Sequence, residues 1–179
     1  KRGIKMFGNN AVQAIIDELQ QLDEKKCFIP RKLESLTKEE RHCALKSITL
    51  VKKKRTGEVK GRTVADGRKQ SEWLTEEEAT SPTAAVEALM IVCAINASEQ
   101  RNVATCDIKR AYLHALMDEV IHMKIEGPMI DFLCAACPRY KNYIGNEQGK
   151  RILYVQLKKA LYGCKQSGRL FWKHLTGIL

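Results

Sequence analysis

Residues 82–98 narrow most sharply what this chain can fold into. Ser81-Pro82-Thr83 reads as a helix start, with proline in the first turn. Val86, Leu89, Met90, Ile91, Val92, Cys93 and Ile95 then fall on nearly every face of the helix that follows. A helix that is apolar all round is expected to be buried, so other elements must surround it.

Those elements are of both kinds. Ala11, Val12, Ile15, Ile16, Leu19 and Leu22 recur at helical spacing and predict an amphipathic surface helix over residues 10–26, closed by Pro30. Thr37-Lys38-Glu39-Glu40 looks like an N-cap with acids in the first turn, opening a short helix. Residues 47–55 and 59–65 pair as a hairpin about the turn Thr56-Gly57-Glu58. Residues 66–81 are polar and acidic and read as loop. A strand over 103–108, a short helix over 110–116, a strand over 119–125 and a helix over 129–137 follow. A polar loop carrying Gly145 and Gly149 leads to a strand at 152–157 and a glycine-centred turn, Leu161-Tyr162-Gly163. The last helix carries Phe171 and Trp172. Helices and strands interleave without regular βαβ alternation, which predicts an α+β fold.

Lys and Arg number 31 against 21 Asp and Glu, a net charge of +10. The excess concentrates on the hairpin, at Lys52, Lys53, Lys54, Arg55, Lys60 and Arg62. Such a ribbon either grips phosphates, gaining affinity from counterion release, or is a solvated edge kept soluble by its lysines. Seven cysteines at irregular spacing do not form a secreted disulfide framework, so a reducing compartment is expected. No apolar run is long enough to span a bilayer, so no membrane partner is expected.

Asp107 stands in Val103-Ala104-Thr105-Cys106-Asp107-Ile108-Lys109-Arg110-Ala111-Tyr112, an acid at the end of an apolar strand with a short helix directly after it. A buried carboxylate needs compensation. A divalent cation beside a phosphate held on helix N–H groups would provide it. Spacing alone is equally served by an ordinary aspartate N-cap.

The surrounding motifs resemble the reverse transcriptase of copia-type retrotransposons, the Pseudoviridae group, through nearly all of the chain. Lys60-Gly61-Arg62-Thr63-Val64-Ala65-Asp66-Gly67 is similar to the family's K-A-R-L-V-A-K-G, and Gln70 falls where the family places a glutamine. Ser81-Pro82-Thr83 is similar to S-P-V. Asp107-Ile108-Lys109-Arg110-Ala111-Tyr112-Leu113 resembles D-V-K-T-A-F-L, the first catalytic motif. Leu157-Lys158-Lys159-Ala160-Leu161-Tyr162-Gly163-Cys164-Lys165-Gln166 is close to L-K-K-A-L-Y-G-L-K-Q, with Arg169 and Trp172 fitting its continuation. Each motif alone is weak; their order and number are specific.

The resemblance implies the fingers and part of the palm of a right-hand polymerase. Residues 1–100 would be mostly fingers, with the basic hairpin at 47–65 and the buried helix at 82–98. Residues 101–179 would be partial palm. Asp107 would hold catalytic magnesium (manganese can substitute), with the Ile108 carbonyl as a further ligand. Arg110 and Ala111 would offer backbone N–H groups to the triphosphate. Tyr112 would lie under the sugar and reject a 2′-hydroxyl, unless it is simply core. Lys52 and Arg62 would grip the incoming nucleotide, and Tyr162 and Gly163 would lie beside it and the template base. Lys165, Gln166 and Arg169 would position template or brace the palm. Partners would be a dNTP, a primed RNA or DNA template, the rest of palm and thumb, and polyprotein neighbours: protease, integrase and ribonuclease H. The expected location is intracellular, in a cytoplasmic virus-like particle with passage to the nucleus.

Some positions depart from the family. Asp66 replaces a base, Arg110 a threonine, His114-Ala115 an Asn-Gly pair and Gly168 a proline, as in a divergent or decaying copy. The family's second catalytic motif, Tyr-x-Asp-Asp, is not in the sequence. The chain is therefore expected to be a segment truncated before that hairpin, inactive alone, because one carboxylate cannot hold two ions about 3.5–4 Å apart. The rival expectation is a catalytically dead remnant that binds nucleic acid or protein. Cys134-Ala135-Ala136-Cys137 is a lone C-x-x-C without two further ligands, and reads as core cysteines rather than zinc ligands.

Overall fold

Strand β6 (Lys150–Leu157) organises the molecule because its apolar residues alternate onto two separately buried faces. The computed structural model describes residues 2–179. In chain order its elements are α1 (Arg2–Glu24), β1 (Phe28–Arg31), α2 (Lys38–Cys43), β2 (Leu45–Lys53), β3 (Val59–Ala65), α3 (Glu76–Ala79), α4 (Val86–Ser98), β4 (His122–Glu126), α5 (Pro128–Ala136), β5 (Gly145–Glu147), β6 and α6 (Ser167–Thr176). The mixed α+β composition expected from the sequence is what forms.

The sheet runs β1-β6-β4-β2-β3, with β5 hairpinned onto β6. Every pairing is antiparallel except β2 with β4, which meet in parallel at Leu45–Met123 and Lys46–Lys124. Strand β2 therefore belongs to two structures. Its first residues join the central sheet, and its remainder forms the basic hairpin with β3. On one face of β6, Leu153, Val155 and Leu157 meet Ile15, Leu19 and Leu22 of α1, together with Ile130 and Leu133 of α5. On the other, Ile152 and Tyr154 pack with Leu36 and Ala44. Full burial of each such side chain contributes about 1.5–3 kcal/mol.

The short helix opened by Thr37 forms with a complete capping box. Thr37 accepts from the Glu40 N–H at 3.1 Å, and Glu40 accepts from the Thr37 N–H at 2.8 Å. Helix α1 is longer than the expected 10–26 and bends at Gly8, whose φ of 53° interrupts it. Pro30 does not close that helix. It lies inside β1, an edge strand of the sheet, where proline's missing N–H is tolerated. The Gly145 and Gly149 segment is a hairpin rather than a loop, and the expected helix over 110–116 tightens to a 3-10 turn, Ala111–His114.

Two expectations fail together. The helix expected over 82–98 forms only from Val86, with Ala85 as its N-cap and Pro82 ahead of it rather than in its first turn, and it is not buried: Leu89 is 62% exposed and Met90 68%. The strand over 103–108 does not form, and its residues are exposed. The reason is common to both. No described strand pairs with 99–108, so its backbone has no ladder, and no described element is laid over α4 to cover it. No described helix is long and apolar enough to cross a membrane.

Candidate active site

The two motif-bearing segments on either side of the chain's middle are bolted together. Strand β3 is the sheet edge, and an edge presents unpaired N–H groups. The Thr63 N–H is taken by Glu18 of α1, whose carboxylate accepts at 3.3 Å. The Ala65 N–H donates to the Tyr162 carbonyl at 2.9 Å. That approach is so close that a Cβ on Gly163 would sit 1.9 Å from the Ala65 oxygen, and Gly163 also adopts φ +93°. Both conditions demand glycine. The Gly67 Cα faces the same turn, where an added Cβ would meet the Gly163 oxygen at 2.1 Å.

A buried amide pair completes the joint. Gln70 Nε2 donates to Gln166 Oε1 at 2.6 Å, and Gln70 Oε1 accepts from the Lys165 N–H at 2.9 Å. The Lys165 ammonium also reaches Ser71 Oγ. Arg169 donates to Asp118 at 3.3 Å, tying α6 to the approach of β4. Lys165, Gln166 and Arg169 thus act as braces here. Ser167 Oγ–H caps the turn by donating to the Leu161 carbonyl at 2.6 Å.

Against this joint lies a cavity of about 590 Å³. It gathers Arg62, Asp107, Ile108, Arg110 and Tyr162, which the motifs single out, with Glu18, Lys60, Thr63 and Lys109, which they do not. Cations outnumber carboxylates on its wall four to two. Arg62 holds its guanidinium carbon 5.0 Å from the Tyr162 ring centroid, a cation–π contact that restricts where the charge can point. The Tyr162 ring in turn packs on Tyr112 at 4.7 Å, and Tyr112 lies 6.2 Å from Phe171. Arg110 has left-handed backbone angles, φ 58° and ψ 44°, and starts the 3-10 turn.

Lys52, Ala111, Tyr112 and Gly163 are not on the cavity wall. Lys52 sits directly opposite Lys60 in the hairpin register, on the same face, and Lys60 takes the lining position. Tyr112 is behind Tyr162 and partly packed into a small cluster of Ala115, Ala160 and Leu170. Asp107 is exposed and four residues ahead of the turn's first residue, Ala111, whose N-cap is Arg110. The capping alternative for Asp107 therefore falls. No group of three or more His, Cys, Asp or Glu side chains converges as a metal site among the described residues.

Asp66, which departs from the family pattern, is occupied locally. It accepts two bonds from the Arg68 guanidinium, at 2.8 and 2.6 Å, and caps the 3-10 turn Gly67–Glu72. The Arg68 bonds hold its carboxyl down at about 2. Cys134 lies in the main core, as expected, and burial raises its thiol pKa. Cys137 is half-buried and donates to Asp23.

Sequence could not have found Glu18. Its partner lies 45 residues away, and nothing local distinguishes it from the other acids of α1.

Residues 31–179 match the family described as reverse transcriptase (RNA-dependent DNA polymerase). The chain is also similar to the retrovirus-related Pol polyprotein from transposon TNT 1-94 of Nicotiana tabacum, at 26% identity over 177 residues. That match covers 96% of this chain and 12% of the polyprotein, so the chain spans about one eighth of the relative's length. No solved structure matches significantly.

Proposed function

This chain belongs to the reverse transcriptase (RNA-dependent DNA polymerase) family, and on that premise we propose that it is the fingers and first part of the palm of a copia-type retrotransposon polymerase. Its substrates are then a deoxynucleoside triphosphate and a primed RNA or DNA template. The observation that carries this is the convergence of Arg62, Lys60, Arg110 and Asp107 on one cavity walled by Tyr162.

In this reading the phosphates lie among the cations. Arg62 binds them through its planar fork, prepositioned over Tyr162, while Lys60 acts as a point charge. The left-handed turn at Arg110 presents the Arg110 amide from the other side. Tyr162 flanks the base and sugar as the wall against a 2′-hydroxyl, and Tyr112, stacked behind it and off the cavity wall, holds that ring in place. Gly163 serves the site indirectly, by allowing the fingers joint to close.

The donor set for magnesium is the Asp107 carboxylate and the Ile108 carbonyl. Magnesium is commonly bound by one or two carboxylates with phosphates and water. The pair therefore fits one ion shared with the triphosphate. A second ion would need a further carboxylate, and Glu18 is already engaged by Thr63. Held by Asp107 and Ile108, such an ion would neutralise phosphate charge. We assign the chain alone nucleotide binding without polymerisation.

Titration with a base-labelled fluorescent dATP in magnesium buffer tests this. Arg62→Ala should weaken binding at least about tenfold, the loss of one charge-assisted contact. Asp107→Asn should remove the magnesium-dependent part only. Equal affinity of Arg62→Ala and the parent would overturn the phosphate assignment. Primer extension above an Asp107→Asn control would overturn the claim of inactivity.

A further inference from the structure

A second cavity, of about 260 Å³, shares no lining residue with the first. Its walls are Glu39, Glu40 and Cys43 of α2, Trp73, and the residues 119–122 leading into β4. In a chain of net charge +10 its lining holds three carboxylates, Glu39, Glu40 and Glu119, and no lysine or arginine. The cavity is smaller than the roughly 300–1,000 Å³ of small-molecule sites, and suits one side chain.

Its fourth polar group is His122, which is 4% exposed and whose Nε2 has no hydrogen-bond partner. An orphaned buried nitrogen is costly to leave unmade. Burial holds the imidazole below its ordinary pKa, with Arg31 and Lys158 acting the same way and Glu40 opposing. It is then neutral at pH 7, and one of its ring nitrogens is a hydrogen-bond acceptor. Glu40 spends one oxygen on the Thr37 N–H. That bond keeps its carboxyl ionised. Trp73, 37% exposed, contributes an aromatic wall.

We propose that this cavity receives the guanidinium of an arginine side chain carried by a partner protein segment. The chemistry is complementary throughout. A guanidinium is planar, carries five donors and no acceptor, and stacks on aromatic faces. The cavity offers carboxylate oxygens, an imidazole acceptor and an indole, and no competing cation on its wall. An ammonium would meet the same charge but could neither lie flat against the indole nor pair bidentately with a carboxylate.

The test is an NMR titration of the full chain with N-acetyl-argininamide, following the Trp73 indole N–H and the His122 ring protons. Saturable shifts of both are expected. N-acetyl-citrullinamide, a neutral isostere, and N-acetyl-lysinamide should each bind at least about tenfold more weakly. Glu119→Gln and Glu39→Gln, both at exposed positions, should weaken the arginine ligand several-fold while leaving the remaining spectrum unchanged. Absent or non-saturating shifts, citrulline binding as tightly as arginine, or full affinity in both glutamine variants would each overturn the proposal. Equal binding of the lysine ligand would overturn the guanidinium assignment. Because nucleotide binding is read on a different cavity, its failure would leave this result intact.

Discussion

Replacing Asp23 with alanine should loosen the wall that α1 contributes to the cavity. Asp23 lies in the last turn of α1 and receives three donors, from Cys137, Arg139 and Tyr140. Its Oδ1 accepts from the Tyr140 hydroxyl at 2.5 Å and from Arg139, and its Oδ2 accepts from the Cys137 thiol at 3.3 Å. The Arg139 side chain is 60% exposed, so that pair contributes at most about 1 kcal/mol. Tyr140 is fully buried and edge-packed on Phe28, so its hydroxyl would be stranded. Losing a charge-assisted partner there costs about 1.5–3 kcal/mol. Asp23→Ala should therefore lower unfolding stability by about 2–3 kcal/mol, read from the urea midpoint at constant m-value. Tyr140→Phe alone should cost about 1–2 kcal/mol, and the double variant should show a coupling of about 1–2 kcal/mol. Additivity within about 0.5 kcal/mol would refute the bond as the source. The pH dependence has a definite sign. Burial raises the Asp23 pKa, but bonds from Tyr140, Cys137 and Arg139 outweigh it and hold the carboxyl below 3.8. Its contribution is complete above about pH 4 and is lost as pH falls through the lowered folded value. Tyr140 is shifted the other way, by burial and then by Asp23, so its share is present up to about pH 10 and lost above.

Three further outcomes test the joint and the cavity. Gly163→Ala should cost at least about 2 kcal/mol, from the left-handed backbone and the clash with Ala65, and thermal denaturation will show it. Gln70→Leu should cost about 2–3 kcal/mol, because it strands the buried Gln166 carbonyl and the Lys165 N–H, and the urea midpoint will show it. In the fluorescent dATP titration Lys60→Ala should weaken binding more than Lys52→Ala, since Lys60 lines the cavity and Lys52 does not; the reverse order would move the triphosphate along the hairpin.

How much of this was legible in the sequence depends on how far each feature's cause lies along the chain. The N-cap at Thr37 and the hairpin about Gly57 depend on residues within a few positions, and both form. Arg62, Asp107, Ile108, Arg110 and Tyr162 were found through motifs, and the fold brings those five to one cavity. Motifs did not reveal that Gly163 is a glycine because of Ala65, or that Gln70 stands where it does because of Gln166, 96 residues on. Those pairings give a physical reason for the two motifs to occur together: each supplies half of one backbone-to-backbone joint. The local pattern places Asp107 at the end of a strand, and no strand forms because a ladder needs a second chain segment that no local pattern can supply.

Helix α4 carries the same lesson further. Its helicity was legible because intrahelical hydrogen bonds need no partner, and thirteen residues of it formed. Its burial was inferred from composition, and burial is a property of two surfaces. Val86, Leu89, Met90, Ile91, Val92 and Ile95 are all more than 40% exposed, so none of them gains the full transfer free energy their pattern anticipates. An isolated helix of that length is marginal in water. The expected outcome is that α4 and the extended residues after it exchange their amide hydrogens fastest, while β4 and β6, with Met123, Ile125, Leu153 and Val155 fully buried, exchange slowest. Hydrogen exchange by mass spectrometry separates the two. Protection of α4 equal to that of β6 in the monomeric chain would mean that its apolar faces are packed, and would refute a solvent-exposed α4.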